Sequence, residues 1–473
     1  MAVSKEQIQK IRAFADAHID ELVEELFKLC RIDSVRTEAC PGAPFGKGPK
    51  AALEAASALA EKKGFFVKDY DGYVRTADLN PDAEASFDML GHVDVVPAGD
   101  GWTVTEPFAP IRKDGVLYGR GVADDKGGVV AAIFAMQAVK ELGLPISKRC
   151  RLIIGNGEET GMEDVNYYYT KEKEAPMTAT PDAEYPVICG EKGRVAPVFE
   201  AEFEASKGAR RLLSLDGGIA VNQVPASAVA RLAGISAAEA QKAASAVTEE
   251  TKVTFTFENE GEVLVIRAAG RSAHGSMPEL GINAVLGLAK LVLALGLDVC
   301  RGLEILADYC ALFPFGEFDG RTCGMAAKDE VSGASSCAAD IIHMSETSFH
   351  GEVDFRTAIC ADAMDPEKIL REAGAKAGLK VSFSEVIKSH YVPVDSPFVK
   401  ALNGCYEAVT GKKGAALVIG GNSYVHGTKG GVCFGYVTDD ADAGIHGPNE
   451  HIPVKDLYDT VVIYALAIAE LCK

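Results

Sequence analysis

Lysine and arginine are scarce beside aspartate and glutamate, 48 against 68, and no polybasic run occurs. Phosphate binding draws on clustered cations, so a net charge of −20 argues against a nucleic-acid partner. The surplus of carboxylates favours solubility and leaves acidic groups for a cation site. Long hydrophobic runs are missing too. The longest apolar stretches, Gly127 to Val139 and Ala284 to Val299, are respectively too short and interrupted by Lys290, so no membrane span is expected. The twelve cysteines form no Cys-x-x-Cys pair and no short secreted-scaffold spacing, which points to reduced thiols in the cytosol. A signal peptide is not expected either. Lys5 to Arg31 instead carries Ile8, Ile11, Phe14, Leu22, Leu26 and Phe27 at helical spacing, with charges between. Low-complexity tracts and internal repeats are not evident. What remains is the composition of an ordinary cytoplasmic globular protein, 48% hydrophobic and 25% charged. At 473 residues it is too long for one compact core.

The pattern along the chain changes twice. Helix signals over residues 5–31, 50–63 and 126–142 alternate with strand signals over 65–68, 87–93 and 151–155, which predicts an α/β sheet flanked by helices. From about residue 190 the apolar residues alternate in Val253 to Phe257 and Val263 to Ile266, with helix-like segments at 237–247 and 283–295. That predicts an α+β module with antiparallel strands. After about Lys388 the α/β pattern returns, with a helix at 397–409, a strand at 416–419 and a last helix at 454–471. The expected organisation is an α/β domain from residues 1–188 and 388–473, with an α+β domain inserted at 189–387.

Within the predicted strand 87–93 stand two costly polar residues, His92 and Asp94. Residues two apart on a strand share a face, and burying either without a partner is unfavourable. Similar groups appear where other strand signals stop: Asp124 and Asp125 in a glycine-rich turn, Glu158 and Glu159 after Leu152 to Ile154, and Asp182 in Thr180 to Tyr185. His446 lies far away, in Gly444 to Glu450. Open α/β sheets place ligand sites at the carboxyl ends of strands. Two imidazoles with several carboxylates suit Zn²⁺, Mn²⁺ or Co²⁺, and a carboxylate bridging two metals suits hydrolysis. Taken singly, each residue also fits a helix cap or a solvated edge. Their joint placement favours the metal site.

The stretches GHVDVVPAGDGW, GRGVADDKGG, NGEETG and TPDAEYPV, in this order, resemble the dinuclear-zinc exopeptidase and aminoacylase family. That family includes aminoacylases, succinyl-diaminopimelate desuccinylases, carnosinases and bacterial cytosolic dipeptidases. Gly190 to Gly193, Gly217 to Pro225 and Ser272 to Pro278 are most similar to its dipeptidase V-like branch. The resemblance implies a zinc-exopeptidase catalytic domain with a mixed sheet, an inserted lid, and two divalent metals, Zn²⁺ before Mn²⁺ or Co²⁺. It implies that Asp124 bridges the metals, that His92 and Asp182 complete one and that Glu159 and His446 complete the other. Asp94 would orient His92. Glu158 would be the general base for the water between the metals. His274 would donate to the oxyanion, and Asn222 and Arg356 would hold the substrate, Arg356 as a planar fork on a carboxylate. Without the resemblance, Arg356 reads equally well as a surface strand arginine paired with Asp354. Asp125 is expected to cap a helix or support its neighbour.

Two departures stand out. The loop Gly420 to His426 has Asn422, Ser423 and His426 where the branch has Gly, Thr and Arg, so Gly421, Asn422, Ser423 and His426 are candidates for an altered substrate side. Gly128 stands where proline is common and is expected to affect only the helix start. Hydrolysis of dipeptides or similar small peptides is the leading expectation. The alternatives are an N-acyl or N-carbamoyl amino-acid hydrolase on the same centre, or an inactive metal- or ligand-binding scaffold. Monomer and homodimer are both compatible, since the insert is long enough to supply its histidine in cis.

Overall fold

The computed structural model of the chain describes residues 4–437 and 443–473. Helices start where the sequence supplies caps. The Ser4 side chain accepts from the Gln7 amide while the Gln7 side chain accepts from the Ser4 amide, a capping box that opens the helix Lys5–Cys30. Ser396 caps Pro397–Thr410, which has proline in its first turn and ends on Gly411 at φ 70°.

The chain divides into two compact units, Met1–Glu191 with His390–Lys473, and Lys192–Ser389. The first is built on a mixed sheet. Its strands Arg149–Gly155, Ala85–His92, Met177–Thr180 and Gly431–Phe434 lie side by side and parallel. Val74–Leu79 and Phe66–Tyr70 extend one side antiparallel. On the other side Val187–Glu191 runs antiparallel to Gly431–Phe434 and parallel to Ala416–Ile419. Successive residues alternate between two apolar clusters: Met89 and Leu152 face the helices, Leu90 and Ile153 the opposite side. The helix Lys126–Glu141 is buried from Lys126 through Val139 against Val454–Leu471. Its apolar run is therefore explained by core packing. Among the described residues no helix is long and apolar enough to cross a membrane.

The second unit carries an eight-stranded antiparallel sheet. The helices Ala237–Thr251, Ala284–Ala294, Arg301–Leu312 and Pro366–Lys376 share a separate apolar cluster with its inward residues, Phe199, Leu215, Ile266, Val353 and Phe355 among them. Asp340 falls at an irregularity in its central pairing, between Ala339 and Ile341. All twelve cysteines are free thiols.

Candidate metal centre

Parallel neighbours end on the same edge of a sheet, and this is what gathers residues from distant parts of the chain. His92 is the last residue of its strand, Glu158 and Glu159 open the one-turn helix after Arg149–Gly155, and Asp182 follows Met177–Thr180. A buried cross-strand pair holds these strands together. Asp88 accepts from Arg151 Nε at 2.9 Å and Nη2 at 2.5 Å, and from the Ala175 amide at 3.0 Å.

The five expected ligands and the expected base Glu158 come together within the first unit. His92 Nε2 lies 3.0 Å from Asp124 Oδ1 and 3.7 Å from Asp182 Oδ2. His446 Nε2 lies 3.0 Å from Asp124 Oδ2 and 3.2 Å from Glu159 Oε2. Asp124 thus turns one carboxylate oxygen toward each imidazole. Ligand atoms of His92, Glu158 and Asp182 fall within 4.8 Å of one another, as do those of His92, Asp124 and Glu159. His92 Nε2 and Glu159 Oε1 are buried without a hydrogen bond, and a bound cation would satisfy both. An all-nitrogen and oxygen donor set of this kind fits divalent zinc, manganese or cobalt.

The electrostatics express the same excess of negative charge. Burial opposes a charged His92, but Asp124, Asp182 and Asp94 around it raise its pKa well above the usual value. Asp124 and Glu159 raise that of His446 to about 11. Burial and the nearby Asp182 push Glu158 well up. Burial and Asp124 push Glu159 to about 7. Burial also opposes ionisation of Asp124, yet the imidazoles of His446 and His92 hold its pKa below the carboxylate range. Carboxylates this crowded are costly without added positive charge.

Around the ligands, buried acids bind main-chain amides. Asp94 Oδ1 accepts from the Glu158 amide at 3.3 Å and Oδ2 from the Glu159 amide at 3.2 Å. The expected Asp94–His92 contact takes a different form. Nδ1 meets the Asp94 carbonyl at 3.1 Å, while the carboxylate stands 3.4 Å away. Asp164 Oδ2 accepts from the amides of Asn156 at 2.7 Å and Gly157 at 2.8 Å, and from the Tyr424 hydroxyl at 2.5 Å. Two carboxylates therefore hold four successive amides of the turn bearing Glu158 and Glu159. Sequence reasoning missed Asp164, Tyr424 and Glu450. Turns with several consecutive amides and no ladder partner need an acceptor, and nearby acids were the available signal.

Of the two roles expected for Asp125 the structure shows the supporting one: at the N-cap of its helix it makes no side-chain capping bond, and its Oδ2 accepts from the His92 amide at 3.2 Å. Two expectations require correction. Gly128 does more than start a helix, since a Cβ there would stand 2.1 Å from Asp125 Oδ1 and 2.9 Å from Pro181. Arg356 is paired with Asp354 at 2.9 Å but is not on the surface; it is 4% exposed.

In the loop Gly420 to His426, Ser423 donates its amide and hydroxyl to Glu191 Oε1 at 3.1 and 2.7 Å, and His426 Nδ1 meets Glu191 Oε2 at 2.7 Å. Asn422 Oδ1 is buried without a hydrogen bond. Gly421 has open space around it, with a single neighbour 3.6 Å from an added Cβ.

In the second unit, Asn222 and His274 adjoin: the Gly275 amide donates to the Asn222 carbonyl at 2.7 Å. A Cβ on Gly275 would lie 2.7 Å from Asp354 Oδ2, the oxygen that holds Arg356. Asn222, His274 and Arg356 are thus neighbours. His274 Nδ1 lies 2.7 Å from the Ser276 hydroxyl oxygen and 3.2 Å from the Ser276 amide, which leaves Nε2 outside this turn.

A cluster of two imidazoles and four carboxylates at the carboxyl edge of a mixed α/β sheet is the donor set of a metal-dependent hydrolase. The chain belongs to peptidase family M20/M25/M40, whose sequence profile matches residues 89–470. It is 32% identical over 463 residues to the "Putative dipeptidase YtjP" of Bacillus subtilis (strain 168), covering 96% of this chain and 98% of that relative. It is 31% identical over 468 residues to the "Beta-Ala-Xaa dipeptidase" of Lactobacillus delbrueckii subsp. lactis, covering 98% of each. Among solved structures, human carnosine dipeptidase 1 superposes with a TM-score of 0.60 at 17% identity over 98% of both chains. Aminoacylhistidine dipeptidase from Vibrio alginolyticus does so with a TM-score of 0.58 at 15% identity over 96% of both. These last two likenesses establish the fold. The chain is a metallopeptidase of this family.

Proposed function

We propose that this protein hydrolyses the amide bond of dipeptides in the cytoplasm, with two divalent cations, Zn²⁺ foremost, held by His92, Asp124, Glu159, Asp182 and His446. The observation that carries the reading is Asp124, whose two oxygens each lie 3.0 Å from a different imidazole, the placement of a bridging ligand. The relatives named as dipeptidases over nearly the whole chain support the substrate class.

Cations bound there would polarise the scissile carbonyl and ease deprotonation of water. Glu158 takes the proton from the attacking water and delivers it to the leaving nitrogen. Burial and neighbouring negative charge raise its pKa in the metal-free chain, and the added cations would lower it toward the ionised form a base needs. Asp94 keeps the turn at Glu158 in place through its amide. His274 donates Nε2–H to the developing oxyanion. Asn222 and Arg356 hold the substrate, with Asp354 fixing the guanidinium plane at Nε.

The test is a panel of dipeptides, N-acyl and N-carbamoyl amino acids with added Zn²⁺, Mn²⁺ or Co²⁺, read by mass spectrometry. Dipeptide cleavage is expected, and Glu158→Ala should lower it by roughly 10²–10⁴-fold while two metals per chain remain bound. Cleavage confined to acyl or carbamoyl substrates would replace the dipeptide reading. Metal-loaded, folded protein inert across the panel would eliminate it.

A further inference from the structure

Asp124 and His446 must keep a fixed spacing although they stand far apart in the chain. Asp124 lies in the turn before the helix Lys126–Glu141, and His446 in the turn before the strand His451–Pro453. Asp124 also offers Oδ1 to His92, so a shift of its carboxylate toward one imidazole draws it from the other. His446 cannot hold itself in place by packing, since its side chain is 56% exposed and its φ is 63°.

Glu450 joins the two turns. It lies in the same stretch as His446 and is 0% exposed. Its carboxylate accepts from the Gly121 amide at 3.0 and 3.1 Å, from Ala123 at 2.8 Å and from Asp124 itself at 3.2 Å. Its main-chain carbonyl accepts from the Gly119 amide at 3.0 Å. The tie is reciprocal. Arg120, 1% exposed, donates from Nη1 to Glu450 Oε2 at 2.7 Å and from Nη2 to the carbonyl of Gly447, the residue after His446, at 3.2 Å. The His446 segment thus grips the amide of Asp124, and the Asp124 segment grips the carbonyl beside His446.

We propose that Glu450, with Arg120, is a positioning pair that sets the Asp124–His446 spacing and thereby the affinity for the cation those residues share with Glu159. The proposal rests on the two-cation reading above. Support of metal ligands through hydrogen bonds of this kind is worth roughly 10–100-fold in affinity. A pair that only stabilised the fold would lower stability and leave the two cation affinities in their original ratio.

The full chain is stripped of metal, and Zn²⁺ is titrated against a chromogenic chelator to resolve two successive affinities. Wild type, Glu450→Gln, Glu450→Asp, His446→Ala and the double variant His446→Ala/Glu450→Asp are compared. Metal-free circular dichroism confirms the fold of each, and Glu450→Asp keeps a charge beside Arg120 if Glu450→Gln does not fold. The Glu450 variants should weaken one Zn²⁺ by about 10–100-fold and spare the other. The weakened ion should be the one lost in His446→Ala, so the double variant should lose little more than His446→Ala alone. The visible absorption of the Co²⁺-loaded protein should change in intensity. Equal losses at both ions, unchanged affinities, additive losses in the double variant, or failure of both Glu450 variants to fold would each overturn the proposal. A wild-type chain that holds a single Zn²⁺ overturns the two-cation reading instead.

Discussion

At the scale of the residue, the acids around the metal centre divide by what they touch. Asp124, Asp182, Glu158 and Glu159 point at other ligand-type groups, whereas Asp94, Asp125, Asp164 and Glu450 accept from main-chain amides. A carboxylate that binds two amides fixes a backbone more firmly than a side-chain contact would. Asp94→Asn keeps the shape but gives up an acceptor to the Glu158 or Glu159 amide. It should weaken metal binding by about 10–100-fold and lower activity with it. The urea midpoint of the metal-free protein should move little, since the strand Ala85–His92 keeps its ladders on both sides. Measured together, a midpoint that falls while metal affinity holds would show Asp94 to be structural. Of these acids Asp94 and Asp125 were legible in the sequence, Asp94 through the family pattern and Asp125 as a cap or support beside Asp124. Asp164 and Glu450 look like any acid in a polar turn until their amide partners are known.

At the scale of the element, the irregular strand Ser336–Met344 stores an unpaired carboxyl. Both oxygens of Asp340 are buried without a hydrogen bond, and burial, with Asp354 close by, raises its pKa to about 8. In the unfolded chain this group ionises near 3.8, the ordinary aspartate value. Below that pH both states are protonated and the carboxyl carries no ionisation penalty. As pH rises toward 8 the unfolded state releases the proton first, so the stability contributed by Asp340 is progressively lost. Asp340→Asn should remove that slope. Urea unfolding of metal-free protein should show the variant gaining on wild type from about pH 4 to about pH 8, by on the order of 5 kcal/mol, the linkage that such a difference in ionisation implies. A difference that stays flat over this range would mean that Asp340 finds a partner in solution. Ser336–Met344 is buried almost throughout and shows no alternation to read from sequence, and its register shift at Asp340 arises from pairing with Ser348–Thr357.

At the scale of the whole molecule, the two compact units have separate apolar clusters, and every proposed metal ligand lies in the first. Binding to the native state alone stabilises it by about 2.7 kcal/mol when the free metal is 100 times the dissociation constant. That gain should be local. Hydrogen exchange with and without Zn²⁺ should show slower exchange in Ala85–His92, in the 156–160 turn and around His446. The strands Ser227–Ala233 and Val263–Ala269 of the second unit should be unaffected. Equal protection of both units would refute a metal effect confined to the first.

The sequence by itself determined the main helices of the first unit, several of its strands and the places where ligand-type residues end the strands, but not Val74–Leu79, Val187–Glu191 or Gly431–Phe434. Those signals are local: apolar alternation of period two, helical spacing, and polar groups at the stop. The last helix is read from residue 454 to 471 and observed at Val454–Leu471 for that reason. Tertiary structure alone decided which acids serve as scaffold. The Glu450 carboxylate meets the Asp124 amide across 326 positions, and Glu191 meets Ser423 across 232. It also brought Ser423 and His426, read in sequence as substrate-side candidates, into contact with the buried Glu191. A buried carboxylate takes whichever donors the fold brings within reach, and nothing in its neighbouring residues specifies which those are.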